Sequence, residues 1–128
     1  MPEVVSIQFT QDQARTLTGV SVETVRHWRK TVPYLSSKTG KAARFTFAEL
    51  LGLAVAHELV HSFGVHIATL STSIDELFRM LATNGPASLE GTVVFITATE
   101  VTFHEMEADG LSKVPEKSAF MVPLAPLM

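Results

Sequence analysis

Residues 9–30 read FTQDQARTLTGVSVETVRHWRK. Thr10 followed by Gln13 is a capping box, in which each side chain satisfies an orphan amide at a helix start. The predicted helix runs through Ala14 and Leu17 and stops at Gly19. Ser21 is the next N-cap, and a second helix is expected from Val22 to Lys30. Val22, Val25 and Trp28 recur at helical spacing and face inward, which leaves Arg26, His27, Arg29 and Lys30 on the other positions. Pro33 ends the second helix. Two short helices joined by Thr18-Gly19-Val20 make a helix-turn-helix signature. Gly19 suits the left-handed conformation that so tight a turn needs, and Ala14 is small where the first helix must pack close.

The outward face of the second helix carries Arg26, His27, Arg29 and Lys30, with Ser21 and Thr24 nearer its start. Arginine forks read guanine edges, and hydroxyls and lysines hold phosphates, so this face suits a major groove. Residues 35–46, LSSKTGKAARFT, combine a Ser/Thr/Gly cluster with Arg44-Phe45-Thr46. They are expected to form a hairpin turning at Gly40. Its Lys38, Lys41 and Arg44 would reach phosphates or an adjacent minor groove. The bland alternative is a helical corner with a solvated basic face.

Further out, Thr46 with Glu49 is a second capping box that opens a long helix to about Phe63, closed by Gly64 as a left-handed cap. A fourth helix, about His66 to Ala82, shows an amphipathic stripe of Ile67, Leu70, Ile74, Leu77, Phe78 and Leu81. Asn84-Gly85-Pro86 stops it and marks the expected domain boundary. Beyond it TVVFIT (92–97) and EVTFHE (100–105) predict a β-hairpin turning near Ala98. Asp109-Gly110 is a further turn, and AFMVPL (119–124) is a third short strand that Pro123 confines to an edge. Met106, Met121 and Met128 read as packing residues. The fold class is therefore α+β: a mainly helical winged helix-turn-helix module over 1–84, then a small β-rich dimerisation or accessory segment over 85–128.

Composition bounds the function. The 128 residues are 46% hydrophobic and 18% charged, which excludes a disordered chain. A mean hydropathy of +0.25 points to apolar surface buried against another chain. There is no Cys, which removes disulfides, thiolate nucleophiles and Cys-ligated metal and fits an intracellular protein. The leading residues MPEVVSIQFTQDQ lack the regions of a signal peptide, and no apolar run is long enough to span a membrane, so a cytoplasmic protein is expected. The net charge of −3 argues against nucleic acid, but its distribution does not. Residues 1–46 hold seven basic against three acidic side chains, a net of +4. Residues 47–128 hold three against ten, a net of −7.

The segment 9–82 resembles the MerR-type winged helix-turn-helix family. The resemblance rests on an aromatic–Thr start, Ala14, the T-G-V-S turn of residues 18–21, Thr24-Val25-Arg26-His27-Trp28, Arg44-Phe45-Thr46 at the wing and the acidic–Leu helix start at Glu49-Leu50. It implies a sequence-specific DNA-binding transcription regulator acting as a homodimer on double-stranded DNA. Carried over by position, Ser21 caps the recognition helix, Thr24 touches a phosphate, Arg26 reaches a base edge or phosphate, and Arg44 is the wing arginine. His27 and Trp28 occupy the places of two aromatic residues, with Trp28 packing between helix and wing. The family's long dimerisation helix is interrupted here at Asn84-Gly85-Pro86, and the resemblance assigns no effector ligand or cofactor. An excisionase-like architectural role or an antitoxin role would use the same module.

One motif competes. Residues 57–61 read HELVH, a H-E-x-x-H pattern that on a helix places His57 and His61 on one face to grip zinc, with Glu58 as base. It resembles the helix of a zinc metallopeptidase. The match weakens beyond Gly64, because the third histidine of the longer pattern falls on Ile67, and Glu76 or His104 would have to supply the third ligand. The plainer reading puts His57 and His61 in a packing seam beside Leu50 and Ala54. The expected chain is thus neither an enzyme nor a metal protein, and the apolar fourth helix with the β segment is its expected dimer surface.

Overall fold

The computed structural model describes residues 8–37, 44–84, 89, 91–107, 110–111 and 120–127. The expected α+β architecture is present, with four α-helices, a two-stranded ribbon and a four-stranded antiparallel sheet among the described residues. Helix α1 spans Gln11–Thr18, α2 Val22–Trp28, α3 Phe47–Phe63 and α4 Ser71–Ala82. Short 3₁₀ turns at Pro33–Ser37 and Ile67–Leu70 follow α2 and precede α4.

The first three helices start by one device. Thr10, Ser21 and Thr46 each accept the amide of the residue three further on. Gln13 and Glu49 return the bond to the Thr10 and Thr46 amides, at 2.9 and 2.7 Å. An apolar residue precedes each cap and another follows four residues after it: Val20 with Val25, and Phe45 with Leu50, all buried. This is the pattern of a hydrophobic staple, which sets the angle at which the chain enters the helix. Gly19 (φ 77°) and Gly64 (φ 66°) close α1 and α3 in the left-handed region that glycine enters without steric cost.

Several expected boundaries move. Helix α2 ends at Trp28 rather than Lys30, because the amides of Lys30 and Thr31 turn back to His27 and Trp28 in tighter, 3₁₀-type bonds. Val32 and Leu35 are then fully buried, and Pro33 opens a 3₁₀ turn. The hairpin expected over 35–46 differs in its first arm, where residues 35–37 are 3₁₀ helix. Its turn, residues 38–43 with Lys38, Gly40 and Lys41, lies outside the described residues. The second arm, β2 (Phe45–Thr46), pairs antiparallel with β1 (Gln8–Phe9), in register Gln8 with Thr46 and Phe9 with Phe45. Helix α4 begins at Ser71, its expected first turn being the 3₁₀ segment.

In the sheet, β3 (Thr92–Ile96) is central in the order β5–β4–β3–β6, and all five of its residues are buried, as a strand covered on both faces requires. It pairs with β4 (Val101–Glu107) through a turn at Thr97–Glu100, where the Thr97 hydroxyl accepts the Glu100 amide at 3.1 Å. Strand β5 is Gly110–Leu111, and β6 (Phe120–Pro123) is an edge, as Pro123 foretold. The Leu124 amide donates inward to Thr92 O, so the alternate position, Pro123, faces the outer edge, where its missing N–H costs no ladder bond. Val94, Ile96, Val101, Val122 and Leu124 join Leu53, Leu59, Ile74, Leu77 and Leu81 in one continuous apolar core. Ser73, fully buried on α4, donates to Thr97 O and ties the helices to the sheet turn.

Burial corrects two further expectations. Met121 is 45% exposed and is no packing residue; Val122 and Leu124 beside it supply the burial. The apolar stripe of α4 is consumed within the chain's own core, with Ile74, Leu77, Phe78 and Leu81 at most 1% exposed. Among the described residues, the large apolar side chains left outside are Leu17, Phe63 and Met121.

Candidate nucleic-acid interface

The turn between α1 and α2 is held from within. The Gly19 amide donates to Arg15 O at 2.9 Å, the Thr18 hydroxyl to Ala14 O at 2.6 Å, and the Val20 amide to the Thr18 hydroxyl at 3.2 Å. Ala14 and Val20 are both 3% exposed, which fixes the two helices as one rigid corner. At the start of α2 the Ser21 hydroxyl accepts the Thr24 amide and hydrogen-bonds the Thr24 hydroxyl at 2.8 Å. Ser21 is exposed and Thr24 half-buried.

Along α2, Val25 and Trp28 are buried, while Glu23, Arg26, His27 and Lys30 are exposed and recur three and four residues apart. They form one solvent-facing stripe in which three basic-type side chains follow a single acid. Arg29 is half-buried at the edge of this stripe, and Arg44 is exposed at the base of β2. Thus Thr24, Arg26 and His27 on α2, its cap Ser21 and the following Arg29 and Lys30 fall on or beside its outer face, Arg44 is exposed just before β2, and Lys38 and Lys41 lie outside the described residues. Trp28, 5% exposed, lines a cavity of about 180 Å³ with Val60, Val65 and Ile67, so its partners include the end of α3 rather than a wing alone.

A second set of residues escaped sequence reasoning. The segment just after α2 is clamped: the Tyr34 amide donates to Asp75 Oδ1 at 2.6 Å, and Arg79 Nε to Asp75 Oδ2 at 3.0 Å. The Tyr34 ring stacks on Phe78 at 5.2 Å, with the Arg79 guanidinium 5.8 Å from its centroid. Burial, first, and then the Glu49 carboxylate that the phenol bonds hold the Tyr34 hydroxyl above its ordinary pKa, against an opposing pull from Arg79. Glu49 is also the capping-box acid of α3, so one carboxylate links the end of the recognition helix to the helix that follows β2. No local signal marks this clamp, because Tyr34 and Asp75 stand 41 residues apart.

The H-E-x-x-H segment lies on α3. The His57 and His61 rings are 4.0 Å apart, but His57 is half-buried against Gly19 while His61 is on the surface, outside the expected seam. Burial, then the neighbouring His61, lowers the His57 pKa, with Glu58 opposing. Glu58 accepts a bond from Ser62 at 2.6 Å, and His104 bonds Thr102 and packs on Phe95. Among the described residues no group of three or more His, Asp or Glu is placed to hold a metal ion. Nothing here supports the peptidase reading.

A family model described as MerR HTH family regulatory protein matches residues 9–77, more than half of the chain and the whole of the corner just described. The chain belongs to the MerR HTH regulatory family. It is accordingly a DNA-binding transcriptional regulator. Comparison with curated proteins and with solved structures gives no match. Of the MerR-type segment, the described residues supply both helices of the corner, β2 and all of α3. No described helix is long and apolar enough to cross a membrane.

Proposed function

We propose that the protein acts as a cytoplasmic homodimer that recognises a specific DNA sequence through α2 and the basic 35–46 segment as a wing. Residues 1–84 carry the DNA contact, and residues 85–128 serve dimerisation or an accessory role. The reading rests on the exposed stripe of α2, which lies opposite the buried Val25 and Trp28. Arg26 reaches a base edge or phosphate, Thr24 and Ser21 sit at the phosphate line, and His27, Arg29 and Lys30 extend the contact. Lys38, Lys41 and Arg44 hold the flanking backbone. The acidic remainder of the chain repels DNA elsewhere, which orients the cationic corner toward the duplex. A single module of this size buries modest surface, so two copies reading two half-sites supply the specificity. Phe63, Phe120 and Met121, with the Phe63 and Phe120 rings 5.1 Å apart, offer apolar surface beside the β segment for the second copy.

Selection of bound sites from random DNA tests this reading in one step, because a homodimer recovers an inverted repeat with fixed half-site spacing. On the selected site Arg26→Ala should cost about 1–3 kcal/mol and relax one position, whereas Arg44→Ala should weaken all sequences evenly and lower the salt slope by about 1. Recovery of no consensus, or unaltered binding in both variants, removes the assigned face.

A further inference from the structure

His57 and His61 stand one turn apart on α3, and their rings lie 4.0 Å apart at 38° to one another. Residues four apart share one face of a helix, so the two imidazoles open on the same side. Among the described residues, no ring nitrogen of this pair has a hydrogen-bond or ion-pair partner. The acid between them, Glu58, accepts from the Ser62 hydroxyl at 2.6 Å instead. The other three histidines are placed differently: His104 bonds Thr102 and packs on Phe95, while His27 and His66 line the cavity beside Trp28. Two imidazoles this close repel when both are protonated, so the pair favours the neutral form, in which each ring keeps a lone pair. Burial, then His61, holds the His57 imidazole below its ordinary pKa, with Glu58 opposing, which leaves that lone pair open at neutral pH. His57 is half-buried and His61 exposed, so a cation reaches the pair from solvent.

We propose that His57 and His61 form an open two-histidine site for a late first-row divalent cation such as zinc, nickel or copper, and that the bound ion ties α3 to the helix-turn-helix corner. Imidazole is a ligand these ions share, each ring giving one nitrogen. No third histidine or carboxylate is placed to join the pair among the described residues, so water completes the shell. Structural zinc sites are closed by four protein ligands, whereas this one stays open and its ion exchanges. The tie to the corner follows from the place of His57. The Nε2–Cε1 edge of its ring faces Gly19, where an added Cβ would lie 3.4 and 3.5 Å from those two atoms. The missing side chain of Gly19 thus gives the ring its room, and an ion that fixes the ring fixes its contact with the turn that sets α2. Neither the site nor the tie depends on the DNA reading.

The test uses the full chain without a histidine tag and zinc chloride, with imidazole and backbone amide resonances as the readout. Zinc should shift the ring signals of His57 and His61 together, saturating at one ion per chain, and should move the Gly19 amide with them. His27, His66 and His104 should stay in place. His61→Ala, at an exposed position with no hydrogen bond to lose, should keep the melting temperature of the metal-free protein. It should weaken zinc binding at least about tenfold, because the second ligand of a chelate acts at high effective concentration. Excess zinc should raise the melting temperature of the parent but not of His61→Ala, since an ion held only by the folded chain stabilises it. Copper, followed by calorimetry, should bind the same pair more tightly than zinc. Shifts at all five histidines alike would mark adventitious surface binding only and overturn the site, as would absent shifts or unaltered affinity in a folded His61→Ala. Ring shifts with a stationary Gly19 amide overturn the tie to the corner.

Discussion

Gly19 and Gly64 form a matched pair that separates the geometry of the corner from the stability of the fold. Both end a helix in the left-handed region, with φ of 77° and 66°. An alanine there costs about 1–2 kcal/mol of backbone strain. Its reduced freedom in the unfolded chain returns about 0.4–1 kcal/mol, so each Gly→Ala change should lose about 0.5–1.5 kcal/mol. Surroundings barely separate the two. A Cβ at Gly19 would lie 3.4 Å from His57 Nε2, the near edge of ordinary contact, and at Gly64 it meets nothing within 4 Å. Urea melts followed by the single tryptophan, Trp28, should therefore show similar losses, and melting points lowered by about 3–5 °C per kcal/mol. DNA affinity should diverge. Gly19→Ala strains the turn that sets α2 on α1 and should weaken DNA binding at temperatures where the protein is fully folded, whereas Gly64→Ala should not. A Gly19→Ala protein as stable as the parent would refute the left-handed turn. Equal loss of DNA binding in both variants would trace the effect to stability alone.

Further outcomes follow from the packing and the titrating groups. Gly52→Ala would place a Cβ 2.5 Å from the ring of Phe78, which is 1% exposed and cannot swing aside. The overpacking costs about 1–3 kcal/mol, offset only in part by the ~1 kcal/mol better helix propensity of Ala, so calorimetry should show net destabilisation. Tyr34→Phe removes the phenol bond to Glu49 and should cost about 1 kcal/mol. Because folding raises the Tyr34 pKa, its contribution is complete below the ordinary value of 10.0 and fades as pH rises through the higher folded value. The variant should lose that alkaline dependence, and an unchanged profile would count against the bond. His57 behaves oppositely: with its pKa lowered from 6.5, its contribution is present at neutral pH and is lost as pH falls through the folded value. His57→Gln should flatten the acid side of the stability curve, measured by urea melts at stepped pH.

How much of this was legible follows from the range of each signal. The capping boxes at Thr10–Gln13 and Thr46–Glu49, the Ser21 cap and the glycines at 19 and 64 appear in the structure where the sequence puts them. Each depends on atoms within a few residues, and local hydrogen bonds and the left-handed freedom of glycine decide them. The Thr97–Glu100 turn and the edge place of Pro123 were readable for the same reason. The partner of β2 was not, because Phe45-Thr46 has the composition to pair with any free strand, and its partner Gln8–Phe9 lies some 37 residues away in the chain, across α1 and α2. Helix α2 shortened for a related reason, since fully buried Val32 and Leu35 draw the chain into the core before the helical pattern ends.

From the order of residues alone came the helix-turn-helix corner, the cationic positions of α2, the β character of the far end and the family. These are local or pattern properties, and a chain displays them before it folds. Tertiary structure alone decided that Asp75 and Glu49 clamp Tyr34, that α4 spends its apolar stripe inside the molecule, and that His57 sits against the turn while His61 does not. Each of these needs side chains from distant segments to share a volume, and burial and close packing, which settle who shares it, have no counterpart in a one-dimensional string.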